Sequence, residues 1–343
     1  MRPVTFVVGT GRSGSSELSR ILNLHPGVLS LNEMLSALTP NALPEGTLDG
    51  EEFWAILSEP QETFERMIRS QAPLPEFLYP KNPGRFSSED GGIPGIALMT
   101  LPLLTDDTDA LYDRLEPLVR SWPERDARGH YEALFDVLCA DLGREVVVER
   151  SGYSTWWIPR LREVFPDARF VHLYRQGPDC AMSMSLHPGY RMLHRLHEVV
   201  ELAGVEGIAD LGPEHMAALP PHLRGLFADP FERSLLMDPD MPIEGFGRLW
   251  SMQVIQASEE LAKLPSERHT TLAYEDLLDD PRGELTRLAE FAGTGPDEAW
   301  LATATARLDP SRRGAALSLP VEDRAALWEA CAPGEAAITS SRA

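Results

Sequence analysis

A glycine-rich turn near the start of the chain has the residues to bind an anion. It reads Gly9-Thr10-Gly11-Arg12-Ser13-Gly14-Ser15-Ser16 and lies between a short apolar run and a helical pattern. Glycines let the backbone turn tightly and approach a ligand, and the free amides of a helix N-terminus favour negative charge. The Gly9-x4-Gly14 spacing is that of a nucleotide-triphosphatase P-loop, but Ser15 stands where that motif has lysine. The turn therefore predicts an anion site whose cation is Arg12.

The elements that must position this turn alternate along the chain. Apolar, β-branched runs predict buried parallel strands at residues 4–8, 146–148, 169–174 and 269–272. Helical spacing predicts helices at residues 15–24, 158–165 and 281–292, and another that begins near Pro178. Strands that alternate with helices indicate an α/β fold with a mostly parallel central sheet. Because these segments span most of the chain, we expect a single domain over residues 1–343, with helical, loop-rich insertions at about 40–140 and 190–245.

Composition excludes several classes of protein. The 343 residues include 31 basic and 53 acidic side chains, so the formal net charge is −22. This balance argues against nucleic-acid binding and against a polybasic membrane surface, although a local basic pocket can still bind a small anion. The cysteines Cys139, Cys180 and Cys331 are too few and too scattered for a disulfide framework or a zinc site. No uncharged stretch can span a bilayer as a helix, so we expect a soluble cytoplasmic protein.

The run Arg12-Ser13-Gly14-Ser15-Ser16 resembles the 5′-phosphosulfate loop of sulfotransferases, in which Lys or Arg precedes Ser-Gly and two Thr or Ser residues. The resemblance implies a P-loop-like, three-layer fold. It also implies the donor 3′-phosphoadenosine 5′-phosphosulfate (PAPS), the product 3′,5′-adenosine bisphosphate (PAP) and no metal ion. It extends over roughly residues 1–35, 144–190 and 246–314.

Three later segments are similar to the other nucleotide-binding motifs of this family. Arg175 and Ser183 have the spacing of an arginine at a strand end and a helical serine, eight positions later, that grip the 3′-phosphate. Tyr274, in Tyr-Glu-Asp-Leu, matches a tyrosine that lies near the adenine in the family. The segment Arg312-Arg313-Gly314 is similar to a late Arg-Lys-Gly that closes on the 3′-phosphate. The resemblance thus adds these residues to the loop as the predicted nucleotide site.

Sulfuryl transfer needs a base beside the acceptor hydroxyl and cations beside the leaving group. The segment from His25 to Glu33 resembles the His-Pro-x-Val…Glu arrangement of bacterial and tyrosylprotein-type sulfotransferases, which implies Glu33 as the catalytic base. Glu33 ends a mostly apolar stretch, where partial desolvation would make it a better proton acceptor. Arg12 and Arg150, which follows the second predicted strand, are the catalytic cations that the resemblance implies.

A histidine base, as in the aryl and steroid sulfotransferases, stays open as an alternative. His130 lies in the corresponding region of the chain but lacks the flanking apolar-proline pattern, and His172 falls within a predicted strand. His187, His194 and His197 follow the predicted 3′-phosphate helix and could line an acceptor cleft.

The acceptor is expected to be a hydroxyl of a small molecule, a glycan or a lipid, held by a cap that the two insertions form. The apolar candidates for this cleft are residues 91–105, Trp156, Trp157, Met182, Met184 and Met192. Two further classes stay open: a P-loop nucleotide-dependent kinase and a non-catalytic nucleotide-binding module. The sequence leaves the oligomeric state open as well.

Overall fold

The centre of the fold, in a computed structural model that describes residues 2–239 and 241–342, is a parallel β-sheet. The strands are β1 Val4–Gly9, β2 Val28–Asn32, β3 Thr47–Leu48, β4 Arg125–Asp126, β5 Val146–Arg150, β6 Arg169–Tyr174 and β7 His269–Ala273. Within the described residues, five of them pair in parallel in the order β2-β5-β1-β6-β7. The other two, β3 and β4, form a short antiparallel pair outside this sheet.

Helices connect the strands and cover the sheet. In the part of the chain that the structure describes they are α1 Ser15–Asn23, α2 Met34–Ala37, α3 Gly50–Ser58, α4 Glu62–Arg69, α5 Gly95–Met99, α6 Leu101–Leu104, α7 Thr108–Arg120, α8 Ala127–Leu142, α9 Ile158–Val164, α10 Gly177–Ser185, α11 Pro188–Ala203, α12 Pro213–Ala218, α13 Pro221–Arg224, α14 Ile243–Leu261, α15 Tyr274–Asp279, α16 Pro281–Ala292, α17 Glu298–Arg307 and α18 Val321–Arg342. Short polar side chains begin several of them: the Asp280 carboxylate, for example, accepts the Gly283 amide at 2.9 Å before α16. No helix among the described residues is both long and apolar enough to cross a membrane.

Apolar side chains fill both faces of the sheet and make three layers. On one face Phe6 and Val147 join a buried cluster that reaches α8 and α9. On the other face Val7 and Val148 join a cluster with α1, α16 and α17. Burial on both faces explains why the strands read as continuous apolar runs. The predicted α/β class, with a parallel central sheet and helical, loop-rich connections, is confirmed.

The predicted strands and helices lie where the sequence indicated, but one strand of the central sheet escaped prediction, as did the short β3–β4 pair. The four predicted strands correspond to β1, β5, β6 and β7, with ends that differ by at most two residues. The missing strand is β2, which is buried along its whole length at one edge of the sheet. Its Ser30 and Asn32 interrupt the apolar pattern; Ser30 is buried because its hydroxyl donates to the Ser19 carbonyl at 3.0 Å.

The two predicted insertions contain helices and the short β3–β4 pair. Helices α3 to α7 and the β3–β4 pair fall in the range 40–140, and α12 and α13 fall in the range 190–245. Helix α8 also falls in the first range, and its Leu134 and Leu138 share one apolar cluster with residues of α3, α5 and α7. The bounds of the two insertions, the single domain and the acceptor cap stay predictions.

The carboxyl edge of the sheet collects the residues that the sequence singled out. The glycine-rich turn follows β1, Glu33 follows β2, Arg150 ends β5, Arg175 follows β6 and Tyr274 follows β7. Because the strands are parallel, all five positions lie at the same edge. Ligands of open α/β sheets bind at this edge.

Candidate active site

The glycine-rich turn links β1 to α1 through a backbone that only a few residue types tolerate. Gly11, Arg12 and Gly14 have positive φ angles of 72°, 55° and 82°, and a non-glycine residue in this region costs about 1–3 kcal/mol. Gly14 is the N-cap of α1 and has no side chain with which to cap it. The amides of the first helical turn, which includes Ser15 and Ser16, are therefore left for a ligand.

Two tyrosines hold this turn from opposite sides. The Tyr190 hydroxyl donates to the Thr10 carbonyl, and the ring of Tyr274 packs directly against Gly14. A Cβ atom at Gly14 would lie far inside contact distance of that ring. The Arg175 guanidinium stacks on Tyr274 as well, with its carbon 5.3 Å from the ring centroid.

The fit of Tyr274 against Gly14 predicts a specific loss of stability. Gly14→Ala would introduce backbone strain at a positive φ and a clash with the Tyr274 ring. The clash should lower the free energy of unfolding by about 1–3 kcal/mol beyond the strain. Gly143→Ala is the matched control, because Gly143 has a φ of 65° and open space around its Cα. Urea denaturation of the two variants should show the larger loss of unfolding free energy for Gly14→Ala, and equal losses would contradict the packing role of Tyr274.

A polar cavity of about 330 Å³ lies over the turn and contains most of the predicted nucleotide residues. Those that line it are Arg12, Gly14, Ser15, Ser16, Arg175, Ser183, Tyr274 and Arg312. Arg20 and Arg307 line it too, so that five arginines face three carboxylates among its described lining residues. In a chain of net charge −22, this cavity is a local concentration of positive charge that suits a polyanionic ligand.

Arg175 and Ser183 meet in this cavity although eight positions separate them. The Arg175 Nη2 donates to the Asp179 carboxylate at 3.2 Å and to the Arg312 carbonyl at 3.0 Å. Its buried Nε has no hydrogen-bond partner within the described residues. Ser183 lies two turns along α10, where its hydroxyl accepts the Arg12 Nε at 3.3 Å. The 175–183 spacing thus spans the cavity from the tip of β6 to the glycine-rich turn.

Three of the predicted nucleotide residues do not line the cavity. Ser13 is fully buried beneath the turn. Arg313 donates to the Glu275 carbonyl at 2.6 Å, and the Gly314 amide donates to the Asp179 carboxylate at 2.6 Å. In this structure Arg313 and Gly314 therefore anchor the segment that carries Arg312, and their predicted contact with a phosphate stays a prediction.

Glu33 is held in a fixed position at the end of β2. It adopts a φ of 54°, and its amide donates to the Arg150 carbonyl at 2.7 Å. One carboxylate oxygen accepts the Gly152 amide at 2.8 Å, and the other is ion-paired with the Arg150 guanidinium. Each oxygen keeps a lone pair for a further hydrogen bond.

The structure does not favour the predicted role of Arg150 as a cation for the leaving group. Its side chain is only 2% exposed and does not line the polar cavity. All three guanidinium nitrogens donate within the protein: to Ser19 at 2.9 Å, to Glu33 and to Asn32. The role of Arg150 was predicted from the family resemblance at the end of a strand, but that place is in the interior. Its contacts are those of a positioning residue for Glu33.

A second cavity, of about 340 Å³, adjoins the first and is mostly apolar. Glu33, Tyr153, Trp157 and His187 line it, as do apolar residues of α4, α5 and α11. Arg12, Ser15 and Glu76 line both cavities. The polar cavity and the apolar cavity therefore meet at the glycine-rich turn, with Glu33 on the apolar side.

The comparisons with known proteins gave structural likenesses only. No protein-family model matches the sequence, and no curated protein matches it. Solved structures that are similar include the sulfotransferase domain of the curacin biosynthetic pathway, at 16% identity and a TM-score of 0.46 over 94% of this chain and 84% of that one. The sulfotransferase domain of the Synechococcus PCC 7002 olefin synthase has 16% identity and a TM-score of 0.44 over 96% and 94% of the two chains. A sulfotransferase from Alicyclobacillus acidocaldarius has 15% identity and a TM-score of 0.42 over 99% and 95%.

Glu76, which the sequence gave no reason to select, lies at the junction of the two cavities. Its carboxylate accepts the Arg12 Nη1 at 3.0 Å and pairs with the His187 Nε2 at 2.9 Å. Burial alone would raise the pKa of Glu76, but its interactions with His187, followed by the charge of Arg12, lower it to about 2. Glu76 is therefore an anion that holds the Arg12 guanidinium in place.

The contacts of the histidines indicate how well each could act as the catalytic base in place of Glu33. The His187 Nδ1 accepts the Gly189 amide at 3.2 Å, which leaves its proton on Nε2, facing Glu76. Neither ring nitrogen then has a free lone pair for a hydroxyl proton. His130 is buried and bonded to the Leu48 carbonyl. Burial lowers the pKa of His172 to about 4, and among the described lining residues of the apolar cavity His187 is the one histidine.

Glu149 is a second buried carboxyl group behind Glu33. It accepts the Ser151 hydroxyl at 2.6 Å and the Leu35 amide at 3.4 Å. Burial, followed by the nearby charge of Glu33, raises its pKa to about 7. These bonds tie β5 to the first turn of α2, just after Glu33.

Among residues 2–239 and 241–342 we find no cluster of three His, Cys, Asp or Glu side chains with the geometry of a metal site.

Proposed function

We propose that the protein is a sulfotransferase that moves the sulfuryl group of PAPS to an acceptor hydroxyl, with Glu33 as the general base. The observation that carries the proposal is the junction of the two cavities. An arginine-rich cavity suited to a nucleotide with several phosphates meets an apolar cavity suited to an acceptor, and both open on the same glycine-rich turn. Glu33 lines the apolar cavity, where it can take a proton from the acceptor.

In this proposal the residues of the turn bind the donor at its phosphosulfate. The amides of Ser15 and Ser16 and the guanidinium of Arg12 would hold the 5′-phosphate and the sulfate. Arg175, whose Nε has no partner in the part of the chain that the structure describes, and Ser183 would bind the 3′-phosphate. The ring of Tyr274 would contact the adenine, and Arg312 would close the open side.

The transfer is an in-line displacement in which PAPS supplies the sulfuryl group. The acceptor hydroxyl attacks sulfur and forms a new S–O bond while the bond from sulfur to the 5′-phosphate oxygen breaks. The hydroxyl proton moves to a carboxylate oxygen of Glu33, and the electron pair of the broken bond stays on PAP. Arg12 and the helix amides stabilise the charge that develops there, and Arg150 holds Glu33 in its orientation.

The alternatives differ in the nucleotide that they bind or in whether they transfer the sulfuryl group. A P-loop kinase would bind ATP with Mg²⁺ through a lysine that this turn lacks. A non-catalytic module would bind PAP but would not transfer the sulfuryl group. We expect PAP to raise the melting temperature of the protein by several degrees and ATP with Mg²⁺ to raise it less. Stabilisation by ATP with Mg²⁺ alone would reject the sulfotransferase. Binding of PAP without sulfuryl transfer to any hydroxyl compound would favour the module.

Arg175→Ala should distinguish nucleotides by their 3′-phosphate. Loss of charge-assisted hydrogen bonds of about 1.5–3 kcal/mol corresponds to a roughly 10- to 100-fold rise in the dissociation constant of PAP. The affinity for adenosine 5′-phosphosulfate, which lacks the 3′-phosphate, should change less than about threefold. Calorimetric titration measures both constants, and Arg114→Ala is the control because its side chain is 59% exposed. Equal losses for the two nucleotides would refute the assignment of Arg175.

A further inference from the structure

The wall of the apolar cavity is mostly hydrocarbon. It is built from Phe64 and Met67 of α4, Met99 of α5, Trp157, and Leu193 and Leu196 of α11. Met67 and Met99 are buried in the main apolar cluster, so these walls are supported from behind. The volume of about 340 Å³ lies at the lower end of the range of small-molecule sites, about 300–1,000 Å³.

Of the charged groups of this cavity, Arg12 and Glu76 lie at its junction with the polar cavity, and His187 contacts Glu76. Arg12 and Glu76 are paired with each other, and His187 donates to Glu76. Glu33 is paired with Arg150. No other charged side chain is present among the described lining residues. A charged group on the far end of an acceptor would be desolvated without a partner there, at a cost that exceeds 1.4 kcal/mol, about tenfold in affinity.

The uncharged polar side chains of the cavity are largely committed to the backbone. The Ser36 and Thr39 hydroxyls donate to backbone carbonyls at 3.2 and 3.0 Å, and the Gln61 carbonyl oxygen accepts the Phe64 amide at 2.7 Å as the N-cap of α4. A sugar, which carries a hydroxyl on almost every carbon, would lose water in this cavity and find few replacement partners.

We infer that the acceptor is an uncharged alcohol or phenol whose remainder is hydrocarbon, with its hydroxyl at the Glu33 end and its apolar part against α4 and α11. This inference rests on the proposed function and narrows its acceptor from small molecules, glycans and lipids to one chemical class. The hydroxyl enters where the two cavities meet, and the hydrocarbon part replaces water along the apolar wall.

Three probes with the same eight-carbon chain and one sugar test the inference. The probes are 1-octanol, 8-hydroxyoctanoate, 8-amino-1-octanol and methyl β-glucoside, each supplied with PAPS while the release of PAP is measured. We expect kcat/KM for 1-octanol to exceed that for each other probe by at least about tenfold. Equal or faster transfer to a charged probe or to the glucoside, or no transfer to any of the four by a protein that binds PAP, would overturn the inference. Failure to bind PAP, measured first, would instead reject the proposed function and this inference with it.

A substitution in the apolar wall should alter the preference among acceptors without changing the affinity for the nucleotide. Leu196→Lys places an ammonium group in the apolar cavity and should lower kcat/KM for 1-octanol relative to 8-hydroxyoctanoate by at least about tenfold. Leu202→Lys is the matched control, because Leu202 lies on the same helix, is 59% exposed and does not line the cavity. Both variants should bind PAP as the unaltered protein does. An unchanged preference in a Leu196→Lys protein that binds PAP would overturn the inference.

Discussion

Glu33→Gln should lower the turnover number by about 10²- to 10⁴-fold, the usual contribution of a general base. The amide keeps the size of the side chain, and its one carbonyl oxygen can still accept from Arg150 or from the Gly152 amide. It cannot take the proton of the acceptor. The dissociation constant of PAP should be nearly unchanged, because Glu33 lines the apolar cavity and not the polar one. Single-turnover transfer from PAPS and calorimetric titration with PAP measure the two effects separately.

Two further variants make this result specific. Glu163→Gln removes a carboxylate whose side chain is 70% exposed and should leave turnover unchanged. His187→Asn tests the histidine alternative and should lower turnover much less than Glu33→Gln does, since His187 acts on Glu76. If His187→Asn abolishes transfer and Glu33→Gln does not, the base is the histidine.

Arg150→Met should lower the free energy of unfolding by about 3–5 kcal/mol, because it leaves the buried Glu33 carboxylate without its counter-ion. Methionine fills much of the same volume, so the missing charge dominates the effect. The double variant Glu33→Gln/Arg150→Met should regain most of this loss, since neither member of the pair is then charged. Urea denaturation of the two single variants and the double variant gives the coupling between the residues.

The same experiment separates the two roles considered for Arg150. A cation that acts on the leaving group would affect turnover and nucleotide affinity, with little effect on folding. A loss of stability below about 1 kcal/mol, the size of an exposed ion pair, together with weaker PAP binding, would restore the role that the sequence suggested. A large loss that the double variant recovers would establish Arg150 as the partner that positions Glu33.

The sequence predicted the sheet well because burial on both faces leaves continuous apolar runs. It missed β2, where Ser30 and Asn32 interrupt the run, since their burial depends on partners that fold in from α1 and α5. The position of Glu33 could still be proposed, because it rested on spacing from a recognisable motif. Its ion pair with Arg150 could not, since that contact joins residues 117 positions apart.

Two residues that line the polar cavity, Glu76 and Arg20, were not selected from the sequence, for different reasons. Glu76 lies in a proline-rich connection with no periodic pattern, and only the tertiary structure brings it to Arg12. Arg20 did leave a signal: it is four residues after Ser16 on α1 and therefore on the same helical face. Arg313 and Gly314 matched a short motif; in the structure they anchor the segment that carries Arg312, and their contact with a phosphate stays a prediction.

The two cavities also clarify the meaning of the net charge. A charge of −22 excludes a broad basic surface but says nothing about a cavity lined by five arginines. The carboxylates Glu17, Glu76 and Asp309 already pair with some of these arginines. A bound polyanion would replace Glu76 as the partner of Arg12. The affinity for the nucleotide should therefore depend on the free energy of breaking the Arg12–Glu76 ion pair.

The most direct measurement is a crystal structure of the protein with PAP. The account predicts the 5′-phosphate at the amides of Ser15 and Ser16 beside Arg12, and the 3′-phosphate at Arg175 and Ser183. The adenine should contact Tyr274, and the apolar cavity at Glu33 should stay open for an acceptor. PAP bound in the reverse direction, bound outside the arginine-lined cavity or not bound at all would contradict the central claim.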